Sequence, residues 1–294
     1  MKNPTTKGFI LLTGLGTIAL AISALLFMTT KLEAQEPIVT KEKQVHQERT
    51  EKYVLVYLDT MRLELRNGTT TVAMFDLVSK GKPGSYYETP GGEYVNDFKT
   101  PLHFSSFGQV YLPYSVHIFG NFFIHGIPYY PSGERVSSSY SGGCIRLKDD
   151  EMKVVYEFVD QGTTIIIGNE TPPQISGDFI PTKDITPLMV AMISLEVLNQ
   201  DIEMTVNGRT ATRLAFIPEL LRGNTSVAKA YARAIGEEEF VALMNKRAQS
   251  LGLVNTVFTN VSDEATTSGE DAMIFFTYLQ TYKTYLLNLY TKTN

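Results

Sequence analysis

The spacing of apolar residues changes near residue 170, and this change constrains the fold more than any other feature of the sequence. Before it, short runs of β-branched and aromatic residues alternate with turn residues, as in YVLVYLD, RLELRNG and TTIIIG. These runs have the length of strands, and RNGTT is typical of a hairpin turn. A single segment, KDDEMKVVYEFVDQG, has helical spacing, with one apolar face formed by Met152, Val155, Tyr156 and Val159. Residues 53–168 are therefore predicted to form a mainly β domain with one helix.

After this point the period is helical. Residues 169–183 are rich in proline and are predicted to be a linker. The segments LMVAMISLEVLNQ, EEEFVALMNKRAQSLG and EDAMIFFTYLQTYKTYLLNLY follow, and Gly252 is positioned to end the second of them. Pro187 fits the first turn of a helix that has Thr186 as its N-cap. Residues 184–294 are therefore predicted to be a mainly α domain.

The N-terminal segment predicts a membrane anchor. Residues 8–30 carry no charged side chain and, at about 1.5 Å per residue in a helix, can cross a hydrocarbon core of about 30 Å. Lys2 and Lys7 precede this run, so residues 1–30 are expected to be a cytoplasmic tip and a transmembrane helix. Residues 31–52 are rich in charged side chains and are predicted to be a stem between the membrane and the body of the protein. A cleaved signal peptide is the alternative, and both interpretations locate the body of the protein outside the cytoplasm.

The composition excludes several classes of function. The chain has 26 basic and 31 acidic residues and a net charge of -5, so nothing in its charge points to a nucleic-acid partner. Its single cysteine, Cys144, excludes an intrachain disulfide and a zinc site built on several thiolates. No pattern predicts a cofactor or a metal site.

The segment SGGCIRL around Cys144 is the strongest candidate for chemistry. A lone cysteine usually packs as a small apolar side chain, and that interpretation stands as the alternative. However, His125 lies at the end of a predicted strand, followed by Gly126, and provides a base. The glycines before Cys144 allow backbone N–H groups to converge as an oxyanion hole, and Arg146 adds positive charge.

These residues resemble the catalytic domain of the YkuD-like L,D-transpeptidases, whose motif is a His-Gly, a variable gap, and Ser-His-Gly-Cys followed by an apolar residue and Arg or Asn. The matching stretches are TPGGEYVN, YLPYSVHIFGNFFIHG, SGGCIR and the helix and strand that follow. The resemblance covers about residues 53–168 and implies a β-sandwich with one helix. It departs from the family at Gly142, where a second histidine is frequent.

The resemblance also implies roles for individual residues. Cys144 would be the nucleophile and His125 the general base, with the backbone N–H groups of Gly143 and Cys144 binding the oxyanion. The expected supporting or substrate-binding residues are Ser141, Arg146, Gly126 and Tyr129. Tyr129 and Tyr130 are candidates for a lid or for the substrate cleft, although exposed loop aromatics are an equally good interpretation of both.

The implied reaction is a two-step acyl transfer between peptidoglycan stem peptides. Cys144 would attack the third residue of a donor tetrapeptide, release the terminal D-Ala, and pass the acyl group to an acceptor amine to form a 3→3 cross-link. Transfer to water would make the protein an L,D-carboxypeptidase, and transfer to a protein amine would attach that protein to the wall. A catalytically weak peptidoglycan-binding module is the non-enzymatic alternative.

Residues 184–280 carry a second resemblance, to the helical part of the D-alanyl-D-alanine carboxypeptidases. The reactive Ser-x-x-Lys of that family corresponds to Asp184 through Pro187, and its Ser-x-Asn to Arg222 through Asn224. Both the serine nucleophile and the lysine are therefore missing, and this region is expected to lack serine-peptidase activity. It is predicted to present peptidoglycan, to contact a cell-wall protein partner, or to pack against the first domain.

Overall fold

The computed structural model of the protein describes residues 50–171 and 184–293. The predicted anchor at 8–30, almost all of the stem at 31–52 and most of the linker at 169–183 lie outside the described residues. Within the two described ranges, no helix has the length and apolar character needed to cross a membrane.

The first sheet has five strands and contains both ends of the mainly β part. Its order is β3-β2-β1-β9-β4, and β9 lies parallel to β1, whereas the other neighbours are antiparallel. Gly68 has a φ of 57° in the turn between β2 and β3, so RNGTT forms the predicted hairpin turn. The strands are β1 (Lys52–Tyr57), β2 (Arg62–Asn67), β3 (Thr70–Asp76), β4 (Gly92–Val95) and β9 (Thr164–Gly168).

The second sheet has four strands, one of which ends at His125, while another begins directly after Cys144. Its order is β5-β6-β7-β8, with β7 and β8 parallel. The predicted helix, α1 (Asp149–Phe158), follows β8 and buries Met152 and Val155. The strands are β5 (Lys99–Ser105), β6 (Val110–Phe119), β7 (Phe122–His125) and β8 (Ile145–Arg146).

Residues 184–293, called the helical part below, contain six α-helices among the described residues. A small hairpin, which the sequence pattern did not predict, separates the first helix from the others, and a 3-10 turn (Arg213–Phe216) follows it. The elements are α2 (Ile185–Val197), β10 (Glu203–Val206), β11 (Arg209–Thr212), α3 (Ile217–Leu221), α4 (Thr225–Arg233), α5 (Glu237–Ser250), α6 (Gly269–Tyr282) and α7 (Thr284–Thr293).

The ends of these helices refine the sequence prediction. The cap of α2 is Asp184, so the prediction of Thr186 as N-cap is wrong by two residues. The helix begins earlier because Pro187, which lacks an N–H, is tolerated throughout the first turn. Gly252 follows α5 with a φ of 77°, as expected for a C-terminal glycine. The aromatic C-terminal segment is interrupted at Lys283, which is buried.

Both parts of the chain contribute to one hydrophobic core, and the described residues form one compact unit. Helix α2 is buried on almost every side, from Ile185 through Glu196, which is why its sequence is apolar all round rather than on one face. The mainly β fold expected for the first part is confirmed. The domain boundary at 169–183 stays a prediction.

Candidate active site

The parallel pairing of β7 with β8 brings the two candidate catalytic residues to the same region. Ile124 pairs with Ile145 and His125 with Arg146. Paired residues of parallel strands point to the same face of the sheet, and successive residues of a strand alternate between its faces. Cys144 precedes β8 by one residue and therefore lies beside Phe123. Both are on the face that carries His125. The charge of Arg146 acts on both the thiol and the imidazole.

The His125 ring is buried and fixed in one tautomer. Only 1% of the residue is exposed, and Nδ1 lies 2.6 Å from the carbonyl oxygen of Gly126. Because a carbonyl only accepts, Nδ1 carries the proton and Nε2 is left as a proton acceptor. Burial lowers the pKa of His125 to about 3, although the hydrogen bond to Gly126 raises it in part. The ring is therefore neutral at physiological pH and can act as a base.

The Cys144 thiol is protonated in the resting site. Burial raises its pKa to about 11, more than the Phe123 N–H and the Arg146 charge lower it. The sulfur donates to the carbonyl oxygen of Asn121 at 3.7 Å, and no hydrogen bond joins it to His125 among the described residues. A thiolate must therefore be generated during the reaction by the neighbouring base, rather than being present beforehand.

Ser141 holds the loop before the thiol in shape. Its Oγ accepts the Gly143 N–H at 3.0 Å and donates to the Cys144 carbonyl at 2.5 Å. This geometry changes the oxyanion prediction, because the Gly143 N–H already has a partner. The Cys144 N–H makes no hydrogen bond within the described residues, so it remains the free backbone donor next to the sulfur.

Two neighbouring positions of the loop have different steric requirements. Gly143 has a φ of 112°, and a Cβ there would overlap the ring of Phe122. Its carbonyl accepts from Thr89 Oγ1 at 2.9 Å, which ties the loop to the TPGG segment. Gly142 is exposed, and a Cβ there would meet only Tyr87, at 4.0 Å. The position of the family's frequent second histidine is therefore open space.

Arg146 is a buried cation without an acidic partner among the described residues. The residue is 8% exposed, and its guanidinium donates to the carbonyl and hydroxyl oxygens of Ser138, both at 3.2 Å. Its Nε is buried and has no hydrogen-bond partner. Burial lowers its pKa, but the group stays charged at physiological pH. A positive charge next to the thiol is suited to an anionic substrate group.

The segment after His125 is anchored by an acidic residue that the sequence reasoning did not single out. Asp149 accepts the Ile127 N–H at 2.7 Å and pairs with Arg135 at 2.6 Å. A Cβ on Gly126 would collide with the same carboxylate, which explains the glycine after the histidine. The only sequence signal was an acidic residue in the first turn of a helix.

The two tyrosines of this segment differ in their surroundings. Tyr129 pairs through its backbone with Tyr111, and its ring stacks on that residue at 5.4 Å and on Arg135 at 5.5 Å. Tyr129 is thus packed into the loop, whereas Tyr130 is 41% exposed. Tyr130 is therefore the better placed of the two to contact a ligand.

Comparisons with known proteins identify the first part. Residues 51–167 match the family model of the YkuD L,D-transpeptidase catalytic domain. No curated protein matches the chain. An L,D-transpeptidase of Stackebrandtia nassauensis is 25% identical with a TM-score of 0.36, over 42% of this chain and 58% of its own. One from Mycobacterium smegmatis is 20% identical with a TM-score of 0.34, over 40% and 58%.

A third similar structure is a fused Zn-dependent amidase, peptidase and peptidoglycan-binding protein of Clostridium acetobutylicum, 22% identical with a TM-score of 0.35. The match covers 44% of this chain and 58% of the Clostridium protein. This chain thus spans less than two thirds of each of these three proteins. The family match confirms the resemblance predicted for residues 53–168, whereas the one predicted for 184–280 stays a prediction. Residues 51–167 are therefore similar to the catalytic domain of the YkuD L,D-transpeptidases, whose family model they match.

Proposed function

We propose that the protein is a peptidoglycan L,D-transpeptidase that forms 3→3 cross-links through a thioester on Cys144, with His125 as general base. One observation carries the proposal. In a YkuD domain, the imidazole has its Nδ1 proton bonded to the Gly126 carbonyl, and its basic Nε2 is available on the strand next to the only thiol of the chain. This pairing supports the proposal, because a cysteine acyltransferase needs a base beside its thiol.

In the first step, Nε2 of His125 takes the thiol proton as the sulfur attacks the carbonyl carbon of the donor's third residue. The S–C bond forms, and the Cys144 N–H stabilises the oxyanion. The imidazolium then returns the proton to the departing nitrogen, the C–N bond breaks, and D-Ala leaves with a neutral amine. Because both groups are neutral at rest, the proton moves within the site and no ion pair has to be buried beforehand.

In the second step, an acceptor amine attacks the thioester carbonyl. His125 removes a proton from this amine, the C–S bond breaks, and the thiolate takes the proton back, so the resting site is restored. Arg146 supports the proposal because its guanidinium has no acidic partner among the described residues and an Nε without a hydrogen bond, so it can neutralise a stem-peptide carboxylate. Water in place of the amine would release a tripeptide, as in a carboxypeptidase.

The N-terminal segment of the sequence supports a proposal for the location of the reaction. We propose that residues 8–30 anchor the chain in the cell membrane and that the catalytic domain faces the wall on the extracytoplasmic side. The stem peptides of peptidoglycan are then within reach of the domain. Secretion after cleavage of the N-terminal segment would serve the same chemistry.

The products distinguish the candidate functions. The purified full chain would be incubated with disaccharide tetrapeptides, and the products identified by mass spectrometry. Dimers that have lost one D-Ala, absent with Cys144→Ala, would support transpeptidation. Free tripeptides without dimers would indicate a carboxypeptidase. The raised pKa of Cys144 favours a weak binding module as the second candidate, and neither product from folded wild type, with retained peptidoglycan binding, would indicate that function.

A further inference from the structure

The helical part reaches the nucleophile through the turn between β6 and β7. The side-chain amide of Asn121 donates to the carbonyl oxygen of Val197, the last residue of α2, at 2.8 Å. Gly120 packs so closely that a Cβ there would lie 2.9 Å from the Val197 side chain. The backbone carbonyl of Asn121 in turn accepts the thiol of Cys144 at 3.7 Å. One residue thus links the end of α2 to the sulfur.

A second connection runs through a buried cluster of charges. The Glu196 carboxylate, also near the end of α2, pairs with Arg247 at 3.1 Å and with Lys283 at 3.0 Å, and all three side chains are almost completely buried. Burial would raise the pKa of Glu196, but the two cations more than offset this and lower it, so the cluster is charged.

The same cations bind the backbone on both sides of Thr89. Arg247 donates to the carbonyl of Gly91 at 3.1 Å, and Lys283 to the carbonyl of Glu88 at 3.4 Å. Thr89 donates to the carbonyl of Gly143, next to the nucleophile. The segment that supports the catalytic loop is therefore held by the helical part, because buried charges fix the geometry of every group that satisfies them.

We propose that the helical part is a positioning element of the active site, and that Asn121 is the positioning residue through which it holds the Cys144 thiol. This inference rests on the proposed function, because it takes Cys144 as the nucleophile. The backbone carbonyl of Asn121 accepts a hydrogen bond from the thiol but would repel a thiolate. The contact therefore keeps the sulfur protonated until substrate binds and His125 takes the proton. Loss of the Asn121 side chain frees this carbonyl and makes the thiol more acidic.

Alkylation by iodoacetamide tests the proposal, because Cys144 is the only thiol of the chain. Rates measured between pH 8 and 12 follow the titration of the sulfur in the substrate-free full-length protein, because burial raises the pKa of Cys144 to about 11. The groups around it stay unchanged in the variants. On the elements packed against this site, they are His125 on β7, Arg146 on β8, His103 and His117 beside Phe123, Tyr87 beside Gly142, Lys283 over Phe122, and Glu196 paired with Lys283.

Asn121→Ala is expected to move the midpoint of the alkylation profile down by about half a pH unit and to raise the rate at pH 8 by about threefold, the effect of one weak hydrogen bond. The matched control is Asn245→Ala. The Asn245 amide donates to the carbonyls of Val241 and Phe258 inside the helical part, so its removal should leave the profile unchanged. Asn121 is exposed, and Asn121→Ser provides a second variant with the same expected shift.

A profile of folded Asn121→Ala or Asn121→Ser that coincides with wild type, or that moves to higher pH, would overturn the proposal. An equal downward shift in Asn245→Ala would also overturn it, since the effect would then not be specific to Asn121. The assay needs no peptidoglycan. A protein that fails to cross-link but shows the shift would refute the proposed function alone, and an active protein without the shift would refute only the role of Asn121.

Discussion

Replacing Gly143 by alanine is the most informative single change in the catalytic loop. The backbone at Gly143 has a φ of 112°, which L side chains rarely adopt. A Cβ at this position would lie 2.7 Å from Cδ1 of Phe122 and still closer to Cε1. Phe122 is only 4% exposed, so its ring cannot turn aside into solvent. The adjacent Gly142 has neither constraint and provides a matched control.

The expected cost follows from these two terms. A positive φ costs a non-glycine residue about 1–2 kcal/mol, and forcing an extra methyl group into a packed region costs about 1–3 kcal/mol. Gly143→Ala should therefore lower the free energy of unfolding by about 2–5 kcal/mol. Gly142→Ala should change it by less than about 1 kcal/mol, because its backbone is ordinary and its methyl group meets only Tyr87 at 4.0 Å.

Urea unfolding of both variants measures the stability difference, and the rate of acylation by a carbapenem measures the effect on the nucleophile. Under the proposed function, a carbapenem is expected to acylate Cys144, the proposed nucleophile of a domain that matches the YkuD family model. Gly143→Ala should lose both stability and most of its acylation rate, since any relief of the overlap moves the residue next to the sulfur. Equal stability and equal acylation rates in the two variants would refute the steric reasoning.

Three further predictions concern other groups. Asp184→Ala should leave the turnover rate unchanged in a cross-linking assay, because this residue occupies the N-cap position of α2 and its carboxylate accepts the Tyr290 hydroxyl, away from the candidate site; a large loss in a folded variant would contradict this. Arg247→Met should lower the free energy of unfolding by about 3–5 kcal/mol in urea, because it leaves Glu196 buried beside one cation instead of two. Burial lowers the folded-state pKa of His125 to about 3, so the unfolded chain binds a proton more readily than the folded protein. The stability that the neutral ring contributes is therefore complete above the unfolded pKa of about 6.5. It is lost as pH falls toward about 3, at up to about 1.4 kcal/mol per pH unit. Between pH 7 and 4, the free energy of unfolding measured in urea should therefore fall less steeply in His125→Gln than in wild type. Parallel curves of this free energy against pH would contradict a buried neutral ring.

The spacing of apolar residues was enough to predict the main divisions of the fold. Strands β1, β2 and β9 and helix α1 each have a local period that tertiary packing does not override. The β10–β11 hairpin was missed because its strands are short, largely exposed and polar, and carry little apolar alternation. The break at Lys283 was missed because the aromatic residues continue across it.

Some features of the candidate site could likewise be predicted from the sequence, and others could not. Cys144 and His125 could be singled out because the motif residues around them are recognisable in the sequence, and their catalytic roles stay a prediction. The hydrogen bond between Ser141 and the Gly143 N–H could not be predicted, since it depends on the path of a short loop. Arg247 meets Glu196 across 51 residues, and no local pattern encodes that distance. A charged residue inside the apolar run of α2 was the one available sign of a buried partner.

The central claim is that Cys144 is a nucleophile activated by His125. Intact-mass measurement of the full-length protein after incubation with a carbapenem tests it most directly, since it detects the covalent bond itself. We predict one adduct per wild-type chain, no adduct on Cys144→Ala, and formation at least about 100-fold slower on His125→Ala, the usual contribution of a general base. A folded wild-type protein that forms no adduct, or an adduct that persists in Cys144→Ala, would contradict the claim.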